Sequence, residues 1–385
     1  MPQWKQYSGI WTTTQQAQAL AAETWTGITL SELYAWGYNG NGHLGLNDIS
    51  NRSSPVQVGS LTNWNNITGG YYGAFATKVD GTLWGTGYNA NGYVGDNTTI
   101  SRSSPVQIGA LTTWDKVVTA VSFSFAIKTD NTLWAWGSNT TGKMGAGTTI
   151  NYSSPIQVGA LANWAQVNGG NNFATAITTS GELYAWGENS AGQLGINTAV
   201  DTNSPIQVGA LTTWLQISAS GYRWHAVKTD GTLWANGNNG FGRLGTNNLI
   251  NTSSPVQVGA LTNWAQVSSG GSGGVAVKTD GTIWAWGYNA QGPLGQNNTI
   301  SQSSPVQIGS LTTWAVAACV NYQIVAIKTD GTLWSWGNNN AGQLGQGNVI
   351  NLSSPVQVGS GTKWTKISEA TNGVDMFFAI NQSTT

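Results

Sequence analysis

The chain has 385 residues, 39% apolar and 8% charged, with 14 Lys and Arg against 15 Asp and Glu for a formal net charge of −1. Affinity for nucleic acid is built from cations set against phosphates, so this sparse balance excludes a phosphate-neutralising surface and nucleic acid is not an expected partner. No run reaches the ~18 to 20 apolar residues of a membrane span, no basic stretch leads into an apolar leader, and the lone Cys319 cannot form an internal disulfide.

Residues 1–30 lie outside the pattern that follows and are expected to be an N-terminal extension, an attachment segment through which the chain could also oligomerise. From there to residue 385 the sequence repeats. The string S-P-[VI]-Q-[VI]-G begins at Ser54, Ser104, Ser154, Ser204, Ser254, Ser304 and Ser354, a period of 50 without insertion. A second string, Leu-Trp-Ala-Trp-Gly in its fullest form, ends at Gly37, Gly87, Gly137, Gly187, Gly237, Gly287 and Gly337. Of 21 tryptophans, 17 fall at three fixed phases, and Trp4, Trp11, Trp25 and Trp224 stand outside them.

Within one unit the spacing predicts four short strands, at 106–108, 114–118, 125–128 and 132–136 in the second copy. Between the last two sits Asp-Gly in most copies (Asp80-Gly81, Asp230-Gly231, Asp280-Gly281, Asp330-Gly331), read as a type I′ hairpin. Both faces of such a sheet carry apolar side chains, as a sheet sandwiched between neighbours requires. The first pattern, 32–37, is a fourth strand without a third, and the last, 377–380, is a third without a fourth. The fold class expected is therefore all-β: a seven-bladed β-propeller, four antiparallel strands per blade, closed by N- and C-terminal strands sharing one blade. Trp136→Ala should cost about 3 to 5 kcal/mol, and the blades carrying Thr86 and Asn236 at that phase are expected to be the weakest.

The unit at 330–345, Asp-Gly-Thr-Leu-Trp-Ser-Trp-Gly-Asn-Asn-Asn-Ala-Gly-Gln-Leu-Gly, resembles the repeat of the regulator of chromosome condensation family over about residues 33–380. The resemblance implies a seven-bladed propeller; the family's founder is an exchange factor for a small GTPase, and other members bind proteins. This chain lacks the founder's basic tails, so exchange residues are not carried over. Tyr7-Ser8-Gly9-Ile10-Trp11 and Gln15-Gln16-Ala17-Gln18-Ala19 are similar to openings of phage-encoded structural proteins, which implies a virion component.

Several motifs have a plain structural reading. The G-x-N-x-x-G-x-L-G segment does not lead from a strand into a helix, so it is a glycine turn and not a phosphate cradle. Lys78, Lys128, Lys228, Lys278 and Lys328, two residues before the hairpin Asp, should form a solvated rim of paired charges. Glu182 and Glu188 are the one pair of nearby acids that invites a glycosidase reading. His43 and His225 occupy different repeat phases, and Cys319 sits at a small-residue phase. No catalytic, cofactor or metal-binding residue is assigned, and no cofactor is expected.

Variation between copies is the better guide to function. It concentrates before the third strand and within the glycine turn (His43, Tyr93, Lys143, Gln193, Arg243, Pro293, Gln343), and each set should form a ring. The candidate binding face comprises Tyr71, Tyr72, Phe123, Asn171, Asn172, Tyr222, Arg223, Trp224, His225, Tyr322 and Gln323, a recognition-like composition. The expected function is a non-enzymatic structural or interaction protein of a phage virion, at the particle or extracellular surface, binding virion or cell-surface proteins or glycans. The alternatives are a cytoplasmic protein-binding regulator resembling a GTPase exchange factor, and a carbohydrate-active enzyme.

Overall fold

A computed structural model describes residues 29–370 and 375–384, so the expected attachment segment lies, but for its last two residues, outside the described residues. Seven antiparallel sheets surround a central channel. In a typical blade the inner strand Trp114–Thr119 turns into Phe123–Lys128, then Leu133–Gly137, and ends in the outer strand Tyr152–Gln157. The Ser-Pro string is thus the last strand of a blade and not the first of its unit, so the blade frame is shifted one strand from the sequence reading. The reason is proline. Pro155 has no N–H to donate, and the outer strand pairs Tyr152 with Gly137 and Ile156 with Ala135 across a register shift, a rim position where the missing donor is not needed.

Closure occurs as expected from the chain ends. One blade combines Trp364–Ile367 and Met376–Thr384 with Thr29–Gly37 and Arg52–Gln57. Thr29–Gly37 and Met376–Thr384 pair without a break from Thr29↔Thr384 to Gly37↔Met376. The two-residue strand Glu369–Ala370 adds itself parallel to Trp64–Gly70 in the next blade.

Tryptophan wedges the blades together. The Trp136 Nε1–H donates to Tyr93 O of the preceding blade (2.9 Å), Trp186 to Lys143 O (3.0 Å) and Trp36 to Gln343 O (2.9 Å). Each indole enters space that a glycine leaves: a Cβ on Gly95, whose φ is +82°, would lie 2.7 Å from Trp136 Nε1. Two blades lack this indole, and they differ. Trp224, cross-strand partner of Asn236, inserts its ring instead and donates to Gln193 O at 2.9 Å. Thr86 supplies only a hydroxyl, to Gly42 O (3.0 Å) and Arg102 O (2.8 Å), and a void of about 20 Å³ borders it. The Asn236 blade is therefore repaired, contrary to the expectation from its missing tryptophan.

The hairpin turns also differ from expectation. Gly81 N–H donates to Lys78 O and Lys78 N–H to Thr82 O, and of the loop residues only Gly81 has positive φ, +76°. This is a three-residue loop closed by a left-handed glycine and not a type I′ turn. Asp80 then accepts from Thr82 N (3.0 Å) and Thr82 Oγ1 (2.7 Å), and Thr82 Oγ1 accepts from Trp84 Nε1 (2.9 Å). These bonds hold the Asp80 carboxyl below its ordinary pKa. The lysine is left to the indoles: Lys78 Nζ lies 3.7 Å from the Trp84 ring centroid and 5.2 Å from that of Trp64. All five lysines are buried in this way, which corrects the solvated rim. Their alkyl stems cover apolar rings while the ammonium faces the π clouds, and desolvation lowers their pKa.

Side-chain amides link successive inner strands around the channel. Gln266 donates Nε2–H to Ala317 O (2.7 Å) while its Oε1 accepts from Ala317 N (3.2 Å). Gln216 does the same with Val267. These bonds satisfy backbone groups that would otherwise be open strand edges.

Trp224→Ala should cost about 3–5 kcal/mol in urea unfolding, as for any buried indole. Hydrogen exchange should show the Trp224 blade as protected as its neighbours and the Thr86 blade less so. Lys128→Gln should cost about 0.5–2 kcal/mol through loss of the cation–π pair, measured by the same unfolding curve.

Candidate functional site

Six blades send two described connections to the same end of the channel: the tight turn between the inner two strands and the long glycine loop after the third strand. The two variable sets are therefore not separate rings at opposite ends. They interlock on one face, where Lys143 Nζ donates to Ser122 Oγ (2.9 Å) and Asn172 Oδ1 (3.0 Å) of flanking turns. The turns are also tied to each other, Asn171 N to Gly221 O at 2.9 Å and Ser272 N to Asn321 O at 2.6 Å.

The glycine loop is organised by its asparagine. Buried Asn39 accepts from Leu44 N (2.9 Å) and donates Nδ2–H to Asp48 O (3.0 Å), and Asn139, Asn189, Asn239, Asn289 and Asn339 repeat both bonds. The motif's polar capacity is spent on its own loop, which is why it is a scaffold.

Of the expected face, Tyr71, Tyr72, Asn171, Asn172, Tyr222 and Tyr322 do sit in the turns and reach the surface. Tyr71 is 47% exposed and packs edge-on against Tyr72 at 4.9 Å, which in turn meets Tyr88 at 5.2 Å. Phe123, Arg223, Trp224, His225 and Gln323 do not form part of this surface. They begin the second strand of their blades and are buried, because the turn occupies only two residues and the next residue already enters the sheet. Phe123 packs against Phe125 at 5.4 Å. His225 Nδ1 pairs with Ser269 Oγ at 2.7 Å, and its Nε2 accepts from Trp286 Nε1 at 3.3 Å. Gln323 Oε1 accepts from Tyr322 N at 3.1 Å. Arg223 Nη2 donates to the carbonyls of Gly270 and Gly271.

The sequence reading missed two members of the face, Phe241 and Tyr288, and set Arg243 in a different ring. Phe241 is 55% exposed and meets Tyr288 at 5.0 Å, which meets Tyr322 at 5.5 Å. The Arg243 guanidinium carbon lies 5.0 Å from the Phe241 ring centroid and 5.9 Å from that of Tyr288. The signal was present: Phe241 is the sole aromatic at its loop phase, opposite Asn41, Asn91, Thr141, Ala191, Gln291 and Ala341. Toward the perimeter the same loops expose Ile100, Ile150, Val200, Ile250, Ile300 and Ile350, each more than 60% accessible.

The acidic pair fails on distance. Glu182 bonds to Thr178 Oγ1 and Ser180 Oγ in a hairpin turn, whereas Glu188 accepts from Asn172 Nδ2 and Ser190 Oγ on the variable face. The strand Leu183–Gly187 separates them, about 20 Å at ~3.3 Å per residue, beyond the ~5 to 9.5 Å that glycosidases use. Cys319 is buried beside Ser272 Oγ (3.2 Å), and burial pushes its thiol up to about 11. Among the described residues no three His, Cys, Asp or Glu side chains gather as a metal site, and no helix is long and apolar enough to cross a membrane.

A family model described as RCC1-like domain matches residues 32–379. Among solved structures, human WBSCR16 is similar at 20% identity and a TM-score of 0.82, over 92% of this chain and 99% of that one. Prp20p from Saccharomyces cerevisiae, described with binding properties to Gsp1p and histones, is similar at 16% identity and a TM-score of 0.80, over 93% of this chain and 92% of that one. Yeast RCC1 (Prp20) in a complex with Kap60 is similar at 15% identity and a TM-score of 0.80, over 100% of this chain and 97% of that one.

Burial lowers His43 to about 4 and His225 to about 3. Both are depressed below the usual 6.5, so the unfolded chain binds protons that the folded one refuses. The folded state should lose stability as pH falls below about 6.5, by about 1.4 kcal/mol per pH unit from His225 alone down to roughly pH 4. His225→Gln should flatten that acid limb in thermal unfolding followed against pH.

Proposed function

Because the chain belongs to the RCC1-like domain family, we propose that it is a protein-binding regulator that engages its partner through the variable face. The observation that carries this reading is the composition of that face: Tyr71, Tyr72, Phe241, Arg243, Tyr288 and Tyr322 are gathered there from separate blades. Tyr and Arg set on a rigid scaffold are the residues that dominate interface energetics. The exposed aliphatics at its perimeter add apolar area to the same side. The named binding partners of the yeast relative, Gsp1p, histones and Kap60, are proteins, and this favours an intracellular regulator over a virion part. The descriptions of the relatives named above give no support to a phage origin, a glycan ligand or a receptor-binding role. Chemistry by paired carboxylates loses its basis with the separation of Glu182 and Glu188.

The regulator works as a binding surface. Tyrosines present large, rigid area at low entropic cost, and the interlocked turns hold them in place before a partner arrives.

The test compares the full chain with a Tyr71→Ala/Tyr322→Ala double variant and with Leu111→Ser on the opposite face. Quantitative affinity enrichment from the source cell should lose its specific partners in the double variant, by ~10-fold or more, and keep them in Leu111→Ser. Partners unmoved by the double variant, or lost with Leu111→Ser, would refute the assignment of the face. A release assay with small GTPases carrying fluorescent GDP decides whether regulation includes nucleotide exchange.

A further inference from the structure

Two neighbouring guanidiniums, Arg243 on the variable face and Arg223 buried beneath it, have no acidic partner. The ion pairs among the described residues are Arg52 with Asp48 and Arg102 with Asp96, each tying a glycine loop to the outer strand that follows it. Arg223 is wholly buried; it spends Nη2 on the carbonyls of Gly270 and Gly271, and its buried Nε finds no acceptor. The charge of Arg243 bears on it. Arg243 is half-buried, rests against Phe241 and Tyr288, donates no side-chain hydrogen bond to a described residue, and likewise leaves its Nε buried and unmatched. The titratable groups facing this pair are Tyr288, Tyr322, Cys319 and His225, none of them a carboxylate.

A second observation points the same way. Phe241 holds φ +63°, the left-handed region, while the other six residues at its loop phase do not. Such a conformation is unfavourable for a residue with a side chain and concentrates at ligand sites. Here it stands an exposed ring beside an unpaired cation. The equivalent loop position two blades away shows what compensation looks like: Lys143 has Ser122 and Asn172 as acceptors, and the charge of Glu188 bears on it.

We propose that Arg243, supported by Arg223 and walled by Phe241 and Tyr288, is a receptor for a carboxylate side chain, Asp or Glu, presented by a protein partner. This rests on the protein-binding reading above and adds the partner's chemistry to it. One planar fork accepts one carboxylate through two parallel N–H donors, and flat aromatic walls exclude water from the pair. A nucleic acid backbone needs a line of spaced cations; on this face Lys143 is buried on its acceptors and Arg52 and Arg102 are paired with aspartates, while five of the chain's lysines are sequestered on indoles at the far end of the blades.

The experiment follows the Arg243 Nε–H resonance of the full chain while it is titrated with a capped peptide carrying two adjacent glutamates, with its glutamine analogue, and with inorganic phosphate. The glutamate peptide should shift the resonance and the glutamine analogue should not. Arg243→Gln should weaken glutamate-peptide binding, read by calorimetry, by ~10-fold or more, as expected for loss of a charge-assisted pair. Arg243→Lys should fall between, and Lys363→Gln on the opposite face should bind as the parent does. Melting curves confirm that each variant is folded, and Arg243→Lys carries the comparison if Arg243→Gln is not. Equal response to the glutamate and glutamine peptides, or unchanged binding in Arg243→Gln, would overturn the proposal. So would phosphate binding as tightly as the glutamate peptide with the same dependence on Arg243, because the site would then recognise anions in general. A partner captured through Tyr71 and Tyr322 while the glutamate peptide leaves Arg243 unmoved would overturn this inference alone.

Discussion

A single contact recurs around the ring and fixes six of the seven blades against their neighbours: an indole N–H from one blade donated to a loop carbonyl of the blade before it. The indole fills the wedge between two twisted sheets, its donor is satisfied without water, and the glycine opposite makes room for it. A sheet of four short strands with apolar faces has no stable life by itself. The wedge converts that weakness into cohesion, and the same contact joins the last repeat to the first, Trp36 to Gln343 O. The blade that places Asn236 at this phase shows how strong the constraint is, since Trp224 restores the ring and the bond from the adjoining strand.

Polar groups obey the same economy. The hairpin aspartate is occupied by a threonine, the threonine by an indole, and the lysine by the faces of two indoles, so no exposed ion pair is required. Around the channel, glutamine side chains act as substitutes for the backbone of a missing neighbouring strand. With so much of the polar inventory committed to the ring, the uncommitted groups carry meaning. On the variable face Arg243 is such a group, beside the exposed ring of Phe241 and above the buried Arg223, whose Nε is unmatched.

That face is where a repeated scaffold and variable chemistry meet. The asparagine-centred loops and, in the six blades whose turns are described, the two-residue turns are nearly identical from blade to blade, so their side chains are displayed on fixed positions. A partner then meets a surface that loses little freedom on binding. The RCC1-like ring supplies the rigidity, and the individual copies supply the tyrosines, the phenylalanine and the arginine.

Much of this was legible in one dimension. The 50-residue period, the paired half-patterns at the two ends and the aromatic phases specify a closed seven-bladed ring, because repeated amphipathic strands that cannot bury themselves must bury one another. Register within a blade was less visible: the Ser-Pro strand belongs to the preceding blade, a fact carried by long-range pairing and not by proximity in sequence. Burial of the lysines could not be read either, since Lys beside Asp looks like a surface pair until the two indoles beneath it are in place. The face itself was half legible. Variation between copies identified Tyr71, Tyr72 and Tyr322, but a two-residue turn moves Phe123, Arg223, Trp224 and His225 from the surface into the sheet. Only packing across blades, which brings Phe241, Arg243, Tyr288 and Tyr322 together from distant positions, decided where an unpaired charge would stand.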